Sequence, residues 1–132
     1  MRHLAFVSLL AVALTACAAP PTPQTVLASP EVAYKQLQDA VGSAACQADA
    51  DCQTIAVGSK ACGGPLAYMA YSTRGGQEAA IQRAAQALKD TQAADNQTSG
   101  RISDCMVVRD PGAQCVANRC QLRGDERGRL IR

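Results

Sequence analysis

Apolar positions along the chain fall into a few separate patterns. Residues 4–14, LAFVSLLAVAL, form a mostly apolar run without a charge. From residue 30 the spacing becomes helical: Ala33, Leu37, Ala40, Val41 and Ala44 share one face. Ser29 is a good N-cap, Pro30 suits the first helical position and Glu31 suits the first turn. The pattern predicts a helix over residues 30–45, weakened by ~1 kcal/mol at Gly42. Residues 77–96 are rich in Ala and Gln, and Ile81, Ala84, Ala85 and Leu88 make a narrow, small-sided stripe. They predict a longer helix packed closely on something flat, such as a sheet.

Between and after the helices the pattern changes to short runs. CQTIAVG (residues 52–58) alternates and carries Ile and Val, and LAYMAYS (66–72) comes after the turn signal Gly63-Gly64-Pro65. CMVVRD (105–110) predicts a third strand, succeeded by a Pro111-Gly112 turn. Residues 113–123 read as a hairpin turning at or near Asn118. Helices and strands interleave, but the last strands run on through short turns. The expectation is an α+β fold: a small antiparallel sheet of about four strands on one long and one shorter helix.

Composition then limits the core. The chain has 132 residues, enough for one domain, but much of its 48% apolar content is alanine or lies in the first run. With one Phe, three Tyr and no Trp, a large core is not expected, and a small chain short of core needs staples. The net charge is only +2. No basic run is interleaved with aromatics, so nucleic acid is not an expected partner.

The first apolar run is too short to span a bilayer and has the length of a signal-peptide core, preceded by Met1-Arg2. Residues 14–18 fit two different cleavages. Ala16-Cys17-Ala18 satisfies the small-x-small rule of ordinary signal peptidase. Leu14-Thr15-Ala16-Cys17, by contrast, resembles the lipobox of bacterial lipoproteins: aliphatic, small, small, Cys. That resemblance covers about the first twenty residues. It implies cleavage before Cys17, diacylglyceryl attachment to its sulfur and an acylated N-terminus. With Ala18 in place of Asp, it also implies the outer membrane, facing the periplasm. The alternative is a soluble periplasmic or secreted protein. The chain then divides into a signal peptide (1–16), a lipidated N-terminus with a Pro-rich tether (17–29), a disulfide domain (30–123) and a charged tail (124–132).

Six cysteines remain: Cys46, Cys52, Cys62, Cys105, Cys115 and Cys120. An even number in an exported chain predicts three disulfides, whose pairing the sequence does not fix. A two-residue turn at Ala117-Asn118 would place Cys115 opposite Cys120, a match lost if the turn is Asn118-Arg119; Cys46–Cys52 would close the helix-to-strand turn and Cys62–Cys105 would span the long helix. The spacing of these cysteines, Cys-Gly-Gly-Pro at residues 62–65 and the closing CQLR also resemble small cysteine-rich lipoproteins of bacterial envelopes. That resemblance, over about residues 46–122, implies a disulfide domain and no activity.

The residues exclude much chemistry. The only histidine, His3, leaves with the leader, so a mature Ser-His or Cys-His pair does not exist. There is no C-x-x-C, and no phosphate-binding loop. Asp49 and Asp51 begin like a calcium loop but lack the later ligands; with Asp104 and Asp110 they are the nearest thing to paired acids, read here as turn carboxylates. No catalytic group, metal or cofactor is expected. Tyr68 and Tyr71 lie three apart on a strand, so they point to opposite faces and are the candidates for partner contact. The expected function is a lipid-anchored periplasmic protein-binding module, of inhibitor, immunity or envelope-accessory type. A structural envelope lipoprotein and a carboxylate enzyme are the alternatives. Intact mass of the mature protein separates the two cleavages: acyl chains on Cys17 are expected, and a chain starting at Ala19 without them would refute lipidation.

Overall fold

The computed structural model describes residues 29–124; the leader, Cys17, the tether before Ser29 and the tail after Gly124 lie outside them. The elements are α1 (Pro30–Val41), a single 3-10 turn (Asp49–Asp51), β1 (Cys52–Val57), β2 (Ala67–Ser72), α2 (Glu78–Ser99), β3 (Ala113–Val116) and β4 (Arg119–Leu122). The α+β class is as expected. No helix among the described residues is long and apolar enough to cross a membrane.

Helix α1 starts as predicted, with the Val32 N–H donating to Ser29 Oγ at 3.4 Å. It stops at Val41, short of the predicted residue 45. Gly42 has φ +58° and its N–H closes on Gln38 O at 3.0 Å, so the residue expected to weaken the helix ends it. Ala44 is therefore outside the helix, although still buried. Helix α2 ends at Gly100, in the left-handed conformation common at helix ends.

Strands β1 and β2 pair antiparallel, with Cys52 opposite Ser72 and Ile55 opposite Met69. The alternation sends Ile55, Val57, Met69 and Tyr71 to one face. Both helices cover that face with Ala33, Leu37, Ile81, Ala85 and Leu88. The alanine-rich stripe of α2 thus packs on α1 as well as on the sheet. Cys52 and Ala70 belong to the other face and pack into a second cluster with Ala44, Cys46 and Cys120.

Two expectations about the strands are corrected. The strands do not form one sheet. β3 and β4 make a separate two-stranded sheet, and the outer edge of β4 is taken by residues 44–46: Cys46 N–H donates to Asn118 O and Cys120 N–H to Ala44 O. Residues 105–110 are not a strand. Cys105 has φ +52°, the Met106 N–H folds back onto Asp104 Oδ1, and Asp110 is held by Thr54. These side-chain bonds take the segment away from any strand ladder, and β-rich composition alone cannot supply a neighbour.

The hairpin turns at Ala117-Asn118, both with positive φ, and sets Cys115 opposite Cys120 as the register predicted. The bonds are nevertheless different. Cys46 joins Cys115, Cys52 joins Cys120, and only Cys62–Cys105 is as expected. The hairpin lies against residues 46–52, so each sulfur meets one across the contact rather than its cross-strand neighbour.

The two clasping bridges close nearly the same large loop, with sequence separations of 69 and 68. With Cys62–Cys105 intact, the path from Cys46 to Cys115 through that bridge is roughly 28 residues, so in the chain-entropy account the first is worth about 3.5 kcal/mol; the second then closes a ring of only about a dozen residues, worth about 3 kcal/mol. Removing either pair with alanine should cost about 3 kcal/mol in urea unfolding, and removing both about 6.5 kcal/mol. A quadruple variant that loses no more than the sum of the two double variants would refute this coupling.

Candidate functional site

The carboxylates singled out in the sequence are each engaged by the domain's own backbone or loops. Asp51 Oδ2 accepts from the Gln47 and Ala48 N–H groups at 2.8 and 3.1 Å. These bonds, helped by Arg74, hold its carboxyl below the usual aspartate range. Asp49 Oδ1 accepts the Cys115 N–H at 2.8 Å and so ties the 3-10 turn to β3. Asp110 accepts Thr54 Oγ1–H at 2.6 Å and the Gly112 N–H at 2.8 Å. Among the described residues, Asp49 and Asp51 do not converge on a shared ligand position with Asp104 or Asp110; they organise turns.

Lys60 carried no signal in the sequence. It is 9% exposed, yet its Nζ donates to Asp104 Oδ1 and to Met106 O, both at 2.7 Å. The Lys60 contact is the main reason the Asp104 carboxyl lies below its usual range, with the Met106 N–H next. The neighbouring Cys62–Cys105 bridge makes a second tie between the same two loops. Its partner is 44 residues away, a separation no local pattern reports. From the other side, α2 clamps the same loop: Ser59 N–H donates to Gln92 Oε1, and Asn96 Nδ2 donates to Ser59 O. Gly58, at φ +72°, lets Gln92 in; a Cβ there would collide with the Gln92 amide and with Leu66.

The two candidate tyrosines separate as strand geometry requires. Tyr71 is 3% exposed on the helix-covered face, and its hydroxyl donates to Gln53 Oε1 at 2.9 Å. Burial, with Glu78 adding to it, pushes its phenol up. Its place in the core removes Tyr71 from any contact surface. Tyr68 is half-buried and lines a groove of about 370 Å³ between β2 and β4, with Met69, Arg119, Gln121 and Leu122. A second cleft, of about 390 Å³, lies between the start of α1, the end of α2 and the loops at residues 59–61 and 101–103.

The sulfurs of Cys46, Cys52 and Cys120 lie within 4.8 Å of one another, a spacing that thiolates could use for a metal. All three are bonded as disulfides, and a disulfide sulfur is not a thiolate ligand. No protein-family model, curated protein or solved structure matches the chain.

The depressed Asp104 carboxyl gives stability that is present above the unfolded aspartate value of ~4 and is lost as pH falls below it. Asp104→Asn should flatten that acid limb of the stability curve. Lys60→Met should free the 101–112 loop and speed tryptic cleavage after Arg109 about tenfold, the scale of one lost charge-assisted bond. Unchanged cleavage would mean that the disulfide alone holds the loop.

Proposed function

We propose that the chain is a lipid-anchored periplasmic module that binds a protein partner and carries out no catalysis of its own. The partner contact is the groove between β2 and β4. The observation that carries this reading is the composition of that groove: Tyr68 and Arg119 come together beside Leu122. Tyrosine and arginine are residue types enriched in protein interfaces, where a few residues supply most of the binding energy. Among the described residues β2 has only one hydrogen-bonded strand neighbour, so a backbone edge lies next to these side chains.

The absence of catalysis is supported by what the acids do. Asp49, Asp51, Asp104 and Asp110 accept backbone or loop-tying hydrogen bonds. For Asp51 and Asp104 those bonds hold the carboxyl below its usual range, which makes each a poor general acid near neutral pH. Anchorage at Cys17 is supported by the Leu14-Thr15-Ala16-Cys17 pattern, which puts the groove on a domain tethered in the envelope. An inhibitor, immunity or envelope-accessory role suits such a placement.

A tagged protein should recover a stoichiometric partner from envelope extract. Tyr68→Ala should weaken that binding about 30-fold, the scale of an interface hot spot. Arg119→Glu should weaken it too, with unfolding midpoints unchanged. A structural envelope role would instead show as no stoichiometric partner, with altered envelope integrity on deletion.

A further inference from the structure

Residues 102–107 hold three large apolar side chains in water. Ile102 is 96% exposed, Met106 69% and Val107 86%. The segment is pinned rather than trailing. The Cys62–Cys105 bridge crosses it, Lys60 holds Asp104 and Met106, and the Cys62 N–H donates to Ser103 Oγ at 3.3 Å. A domain this short of core would gain by turning these side chains inward, yet the ties present them outward.

The patch lies where the folded chain begins. Pro30 and Glu31 line the same cleft as Arg101 and Ile102, and the Arg101 charge acts on Glu31. Residues 17–28 join this end of the domain to Cys17. That stretch of twelve residues reaches at most about 40 Å when fully extended.

We propose that the 102–107 segment is a second membrane contact, resting on the lipid surface to which Cys17 is anchored. Ile102, Met106 and Val107 enter the boundary between headgroups and acyl chains, and Arg101 and Arg109 flank them at the level of the phosphates. This rests on the lipid-anchor reading. Three side chains alone hold a protein to lipid only weakly. On a chain already anchored within a tether's length the surface is always at hand, so weak partition is enough. A soluble partner gains nothing comparable from the tether, whereas lipid is within reach of every anchored copy. The contact would turn a swivelling domain into an oriented one.

The chain contains no tryptophan, so a single introduced one reports alone. Val107→Trp and a control, Ala79→Trp, are made in the full mature protein and reconstituted into phosphatidylethanolamine–phosphatidylglycerol vesicles. Ala79 is exposed at the far end of α2, about 30 Å along the helix from Ser99. The Val107→Trp emission should shift to shorter wavelength and be quenched by lipids brominated on their acyl chains, while the control is not quenched. Equal exposure of both to water overturns the proposal. So does a blue shift that depends on protein concentration rather than on lipid, which would assign the patch to a second copy. Intact mass on the same samples tells the two failures apart. Missing acyl chains refute the anchor reading and the contact with it; acylated protein with an unquenched reporter refutes the contact alone.

Discussion

The second hairpin is held to the rest of the molecule by sulfur more than by oil. β3 and β4 together bring few buried apolar groups to the core: Ala113 and Cys120 are buried, while Val116 is exposed. Four residues per strand cannot make a stable sheet alone. The Cys46–Cys115 and Cys52–Cys120 bridges fix the hairpin against residues 46–52, and that contact sets the position of the chain's last two strands. The segment at residues 44–46 then completes β4 with two backbone bonds, and Asp49 caps Cys115. The first hairpin is different. It has a helix-covered face and a true, if small, apolar core around Leu37, Ile81 and Leu88.

A second constraint runs through the loops. Asp49, Asp51, Asp104 and Asp110 each hold a bend or join two segments. Asp104 does so through Lys60, which reaches its partner from a nearly buried position. Short acids suit this work because they accept several N–H groups at once and lose little side-chain entropy. The same engagement explains why acids that look like a candidate pair in the sequence do not form one in space.

Local physics was legible from residue types. The Ser29 cap, both helical stripes, the two strands of the first hairpin and the Ala117-Asn118 turn all come from spacing and turn chemistry. Non-local choices were not legible. Whether β4 pairs with a strand or with residues 44–46 depends on which edges are free, and this is invisible in a linear pattern. CMVVRD has strand-like residues but no strand beside it. The bridges obeyed the docking of the hairpin, not its register. At the candidate site, strand alternation separated Tyr68 from Tyr71, but no period links Lys60 with Asp104 or brings Arg119 beside Tyr68.

The order of the cysteines has a consequence for maturation. A chain that emerges N-terminus first into an oxidising space exposes Cys46 and Cys52 long before Cys115 and Cys120 arrive. Early oxidation would join those two neighbours, and the bond would have to be undone by thiol exchange before the last hairpin could seat. In such a chain Cys46–Cys115 and Cys52–Cys120 can form only once residues 115–120 have cleared the exit, so the clasp is the last part of the domain to lock.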